Sequence, residues 1–247
     1  MKNVLRVFRK EFKAYFVSPI AWGLLAANAL ILAWIFLRVL ERFSGLEAAQ
    51  RTAGLTIELG LNLFSFTTVL SMLSVPLLTM RMLSGEFRED TFNLLGSAPV
   101  SLTEILLGKF LGIAGPIAVM GLLPLVLALS LSHAVHLDWG LLAAATVGVW
   151  LCGLLFGAVG LYASSLSAQP ALTAVTAYGM LVLLSVINRG EITGSQAVSL
   201  FDWLSWNEHL LWFLFGVVRA SDLLYFVLLI GFFLALAHRR LANRRLG

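Results

Sequence analysis

Charge is scarce in this chain. Only 12% of its 247 residues are Asp, Glu, Lys or Arg, about half the share usual in a soluble domain. With 60% of residues hydrophobic, the surplus apolar surface has to face lipid, and one polytopic membrane domain spanning residues 1–247 is the natural reading. Cysteine is nearly absent. The single thiol, Cys152, excludes an internal disulfide and, set in an apolar run, reads as a small hydrophobe rather than a reactive group. Several motifs are missing. Gly108-Lys109 is followed by Phe110, and the glycine that a phosphate-binding loop needs upstream is Thr103, so the chain does not bind a nucleotide in that way. No His-Glu-x-x-His or Cys-x-x-Cys pattern occurs, and no metal ligand set or catalytic residue is assigned. His133 and His136 flank a short turn and read as structural or solvated. No basic stripe carries interleaved aromatics, which excludes nucleic acid as a partner. The apolar runs hold Asn28, Ser65, Thr67, Thr68, Ser71 and Ser74 but no buried acidic or histidine relay of the kind proton-driven transport uses. Any energy source lies outside this chain.

What the sequence does have is long apolar runs. Six qualify against the ~20 residues that cross ~30 Å of hydrocarbon: Ile20–Leu40, Leu61–Met80, Ile105–Leu131, Leu141–Ala163, Ala171–Ile187 and Leu223–Ala237. An even number puts both termini on one side. That side carries twelve of the seventeen Lys and Arg residues, and the other only Arg38, Arg42, Arg51, Arg189 and Arg219. The imbalance predicts that both termini are cytoplasmic. The charged stretch before the first run reaches Lys13, too long for the start of a cleavable signal, and five more runs follow.

Residues 1–18 are patterned as an amphipathic helix. Leu5, Phe8, Phe12, Tyr15 and Phe16 share one face, and Arg6, Arg9, Lys10 and Lys13 share another. This predicts a helix lying in the membrane interface with its cations toward anionic lipid headgroups. Ser18-Pro19 then turns the chain into the first span. Ser101-Leu-Thr-Glu104 is a capping-box pattern that defines the start of the third span. Gly148, Gly153, Gly157 and Gly160 let another helix approach the fourth span closely, and Pro76, Pro116 and Pro124 sit within spans, where neighbouring groups resatisfy the freed carbonyls. The connection 188–222 is too apolar for a solvated loop. Trp203, Trp206 and Trp212 suit the headgroup level, and one or two short outer helices are expected there. A seventh span over Leu204–Val218 is the alternative. Glu208-His209 could act as an acid–base pair in an intramembrane enzyme, but no nucleophile accompanies it.

One polar island stands out between the second and third runs. Residues 81–100 mix both charge signs in Arg81, Glu86, Arg88, Glu89 and Asp90, then continue through Leu94-Leu95 to Pro99. The island reads as a short helix built to touch another protein. Here the chain resembles type-2 ABC transporter permeases of the gliding-motility type, with the permease of nitrous-oxide-reductase copper maturation as a cousin. The likeness lies in Arg9 to Trp22, in Pro76 through Phe110 and in Phe201 through Phe226. It implies an all-α membrane protein with six transmembrane helices, an N-terminal elbow helix, a cytoplasmic coupling helix between spans 2 and 3, and short outer helices before span 6. It also implies a half-transporter in the bacterial cytoplasmic (inner) membrane, pairing with a second permease copy. A separate cytoplasmic ABC ATPase subunit would bind ATP and Mg, leaving this chain without a cofactor. The resemblance assigns docking on the ATPase to Gly85, Glu86, Phe87, Arg88, Glu89, Asp90, Thr91, Leu94 and Leu95. Asp90 departs from the family's usual glycine and Asn93 from its frequent glutamate; Phe215 and Arg219 replace polar or charged positions. Trp203, Trp206, His209 and Trp212 are expected to contact the outer surroundings or an extracytoplasmic accessory protein. Export or extrusion driven by the ATPase is the expected activity, and transmission of force to an outer partner without solute movement is the alternative.

Overall fold

In membrane, every backbone amide must find its partner within the protein, and apolar runs of this length meet that demand as helices. The computed structural model describes residues 2–45, 54–89, 101–133, 135–186 and 203–246, and among these it is helical with no strand. The elements are α1 (Lys2–Val17), α2 (Pro19–Gly45), α3 (Leu55–Glu58), a π-helix (Leu59–Phe64), α4 (Ser65–Thr79), α5 (Ser84–Arg88), α6 (Leu102–Leu129), α7 (Trp139–Leu166), α8 (Pro170–Val186), α9 (Trp206–Leu214) and α10 (Ala220–Leu246).

Among the described residues, five stretches are long and apolar enough to cross a membrane: Pro19–Gly45, Leu55–Arg88, Leu102–Leu129, Trp139–Leu166 and Ala220–Arg244. The fifth expected span is the shorter apolar helix α8, with 17 residues or about 25 Å. Most of the helices extend beyond the apolar runs that mark them. The second begins at Leu55 rather than Leu61, and the last begins at Ala220 and continues to Leu246. Hydropathy marks the depth of lipid contact, whereas the hydrogen-bond ladder continues into polar residues. The seventh-span alternative does not hold. α9 has nine residues, about 13 Å, and is followed by Gly216 at φ 82°, a left-handed conformation that suits glycine and ends the helix.

The core is built around α7, 72% of whose most apolar window is buried, against 33% for α2 and 28% for α10. Its glycines are the reason. A Cβ on Gly148 would sit 2.6 Å from that of Phe213 in α9, and one on Gly153 would sit 2.6 Å from Ile117 in α6. At Gly160 the neighbour is Thr79 of α4. The close approach read from the glycine spacing is therefore contact within the fold. A polar clasp adds to it: Asn28 of α2 donates to Ser74 Oγ of α4 at 2.8 Å and to its own Leu24 carbonyl at 2.7 Å.

Candidate functional site

α1 rests on α6 along a second glycine stripe. Gly108 faces Val7, Gly112 faces the Cβ of Glu11 (both 2.6 Å from a built Cβ) and Gly115 faces the Phe12 ring. Arg6, Arg9, Lys10 and Lys13 are all exposed. The apolar stripe divides. Leu5 and Phe12 remain 49% and 37% exposed, while the side toward α6 includes Val4, Val7 and Glu11, with the Phe12 ring reaching over Gly115. The cause is the glycine stripe, which lets this side seat closely and leaves the larger side chains at its edge.

The contact holds a buried ionic joint. Lys109 is 2% exposed, and its ammonium donates to Glu11 Oε1 at 2.9 Å, Glu86 Oε1 at 2.7 Å and the Met82 carbonyl at 2.9 Å. All three of its N–H bonds are used. Both carboxylates are largely covered, with side-chain exposures of 14% and 15%. Ions this deep persist only when paired and hydrogen-bonded. Beside them the Tyr15 hydroxyl donates to the Leu78 carbonyl at 3.2 Å. Burial, and secondarily the negative charge of Glu11, push the phenol pKa well above its usual range.

The segment around α5 is fixed from other sides as well. Ser164 of α7 accepts from the backbone N–H groups of Leu83 and Ser84, both at 3.0 Å. It thereby satisfies amides that the start of a short helix leaves without partners. The Ser84 hydroxyl donates to the Met80 carbonyl. The Arg244 guanidinium of α10 lies 4.2 Å from the centroid of the Phe87 ring, a cation–π contact. Residues 80–89 are thus gripped by α1, α6, α7 and α10. The capping box at the start of α6 is present in full: Glu104 N–H donates to Ser101 Oγ and Ser101 N–H to Glu104 Oε2, both at 3.2 Å. Asn3 of α1 adds a 3.4 Å bond to the same oxygen.

A family model described as ABC-2 family transporter protein matches residues 5–245. The chain belongs to this family. No curated protein matches it. It is a multi-pass membrane protein and a membrane subunit of an ABC transporter. Such permeases are normally non-catalytic and imply an ATPase partner subunit.

In this permease the predicted docking residues separate by position. Arg88 and Glu89 are exposed, Gly85 and Phe87 are half-buried, and Glu86 turns inward to Lys109. Asp90, Thr91, Leu94 and Leu95 lie outside the described residues. At the opposite end of the molecule, two of the four residues expected at the outer surface are interior. Trp206, 4% exposed, stacks edge-on against Phe156, and His209, 6% exposed, lies 3.9 Å from the Tyr225 ring in a stacked arrangement. Trp203 and Trp212 remain on the surface, the latter under Arg219 at 3.2 Å. Packing of α9 against α7 across Gly148 explains the inward turn.

Both nitrogens of His209 are engaged. Nε2 lies 2.9 Å from the Trp203 carbonyl, which can only accept, so Nε2 carries a proton. Nδ1 lies 2.7 Å from Asp222 Oδ1 at the start of α10. Glu208, by contrast, is exposed. The two residues do not form an acid–base pair, and the pin His209–Asp222 ties α9 to α10. Glu11, Ser164 and Asp222 were not singled out from the sequence as site residues. Glu11 had a readable sign, as the one acidic residue in α1. Ser164 had none, since its role depends on which helix end comes to rest beside it.

Proposed function

We propose that the permease couples ATP hydrolysis by a separate cytoplasmic ATPase subunit to export or extrusion across a bacterial cytoplasmic membrane. In this reading α8 completes six spans, both termini are cytoplasmic, α1 is the interfacial elbow, and two permease copies pair. The observation that carries it is the grip on residues 80–89. A short helix with exposed Arg88 and Glu89 is fixed through Lys109, Ser164 and Arg244 to four other helices. A push on its exposed side would therefore pass to α1, α6, α7 and α10 together, as rigid-body coupling requires. Fewer attachments would let the segment yield locally.

Charge reversal tests the assignment. Arg88→Glu with Glu89→Lys should weaken co-purification with the cognate ATPase and lower ATP-dependent transport in proteoliposomes, with Tm nearly unchanged, because both side chains are exposed. Unaltered association and transport in this variant would remove residues 85–89 from the docking surface.

A further inference from the structure

The end of the bundle away from α1 carries a cleft that the ionic joint does not involve. It lies between α2 and the stretch that begins at α3, with a volume of about 190 Å³. One part of its wall is apolar: Trp34, Ile35, Val39 and Phe66, with Trp34 62% and Phe66 48% exposed. Arg38 and Arg42 also line it, one helical turn apart on a single face of α2.

The two cations differ. Arg38 donates to Glu41 at 3.2 Å and lies 5.8 Å from the centroid of the Trp34 ring. Arg42 is exposed and has no hydrogen bond or ion pair among the described residues. The acidic group across the cleft, Glu58, is already engaged, for Asn62 Nδ2 donates to its Oε2 and to its carbonyl, both at 2.9 Å. Asn62 belongs to the π-helix Leu59–Phe64, a distortion often found at functional sites. Depth adds a second constraint. Arg38 is nineteen residues beyond Pro19 in one helix, about 28 Å along its axis, close to the ~30 Å hydrocarbon thickness. The guanidiniums therefore lie at headgroup level, with Trp34 a turn deeper on the same wall.

We propose that this cleft seats a membrane phospholipid of net negative charge. Arg42 and Arg38 would hold its phosphate oxygens, and the upper acyl chain would lie along Trp34 and Phe66. Guanidinium matches phosphate through paired N–H···O bonds, and an exposed cation with no ion pair among the described residues is one that a headgroup phosphate can meet at this depth. The inference requires only that α2 crosses the bilayer and does not depend on the partner ATPase or the direction of transport.

Native mass spectrometry of the delipidated permease in neutral detergent tests it, with phosphatidylglycerol, phosphatidylcholine and inorganic phosphate as probes. Phosphatidylglycerol should bind saturably, and Arg42→Gln should weaken it roughly tenfold. Arg42→Lys should fall between, and Arg240→Gln, exposed on α10, should bind as the native chain does. Trp34→Ala should also weaken phosphatidylglycerol. Equal retention of phosphatidylglycerol by Arg42→Gln would overturn the site, as would equal binding of phosphatidylcholine. Displacement by millimolar inorganic phosphate alone would show a free-anion site instead. Arg42 has no described partner within the chain, so its replacement by Gln leaves the fold intact; an unchanged Tm checks this.

Discussion

At the scale of single residues, Lys109 is the most constrained side chain in the candidate site. Its three N–H bonds meet three acceptors that belong to three different parts of the chain. Lys109→Met should leave two covered carboxylates without their cation and lower stability by about 3 kcal/mol, read as a fall in Tm in detergent. Lys109→Arg should not restore it, because a planar fork of donors does not reproduce the pyramidal arrangement. Ser164→Ala should cost about 1 kcal/mol, the usual loss for a helix cap. Its specific sign would be faster hydrogen exchange at the Leu83 and Ser84 amides, with exchange in α2 unchanged.

At the scale of elements, the glycines decide which helices touch. Gly108→Ala would bring its new methyl 2.6 Å from the Val7 Cβ and 3.2 Å from the Val4 carbonyl, so α1 must shift outward. The expected cost is about 1–3 kcal/mol, with proteolysis and hydrogen exchange increasing mainly in α1. Gly179→Ala in α8, where nothing lies within 4 Å, should leave both readouts unchanged. Much of this scale was legible in the sequence. The apolar runs located the long helices, the Ser101–Glu104 pattern located the start of α6, and the fourth-span glycines foretold its close neighbours. The pairing of α1 with Gly108, Gly112 and Gly115 was not legible. A glycine face says that something approaches, and only the packed molecule says what. The same limit applies to Trp206 and His209: their types suit a membrane surface, but Phe156 and Asp222, which draw them inward, are distant in sequence.

At the scale of the whole molecule, α7 is the central post. It carries the cap of α5 through Ser164 near one end and the seat of α9 through Gly148 toward the other. The sequence marked both ends as special, the polar island by its charge and the 188–222 connection by its tryptophans, yet offered no sign that one helix joins them. Cys152 lies on this post, between Gly148 and Ser164, with no measurable exposure, and it is the chain's only thiol. The permease therefore carries a built-in clock. A maleimide should find nothing to label in the intact bundle, and the rate at which it does label measures how often the neighbouring helices part from α7. A cysteine introduced on an exposed position, such as Arg88, could be labelled selectively without first removing the native one, and the two rates would time the surface and the centre of the same molecule.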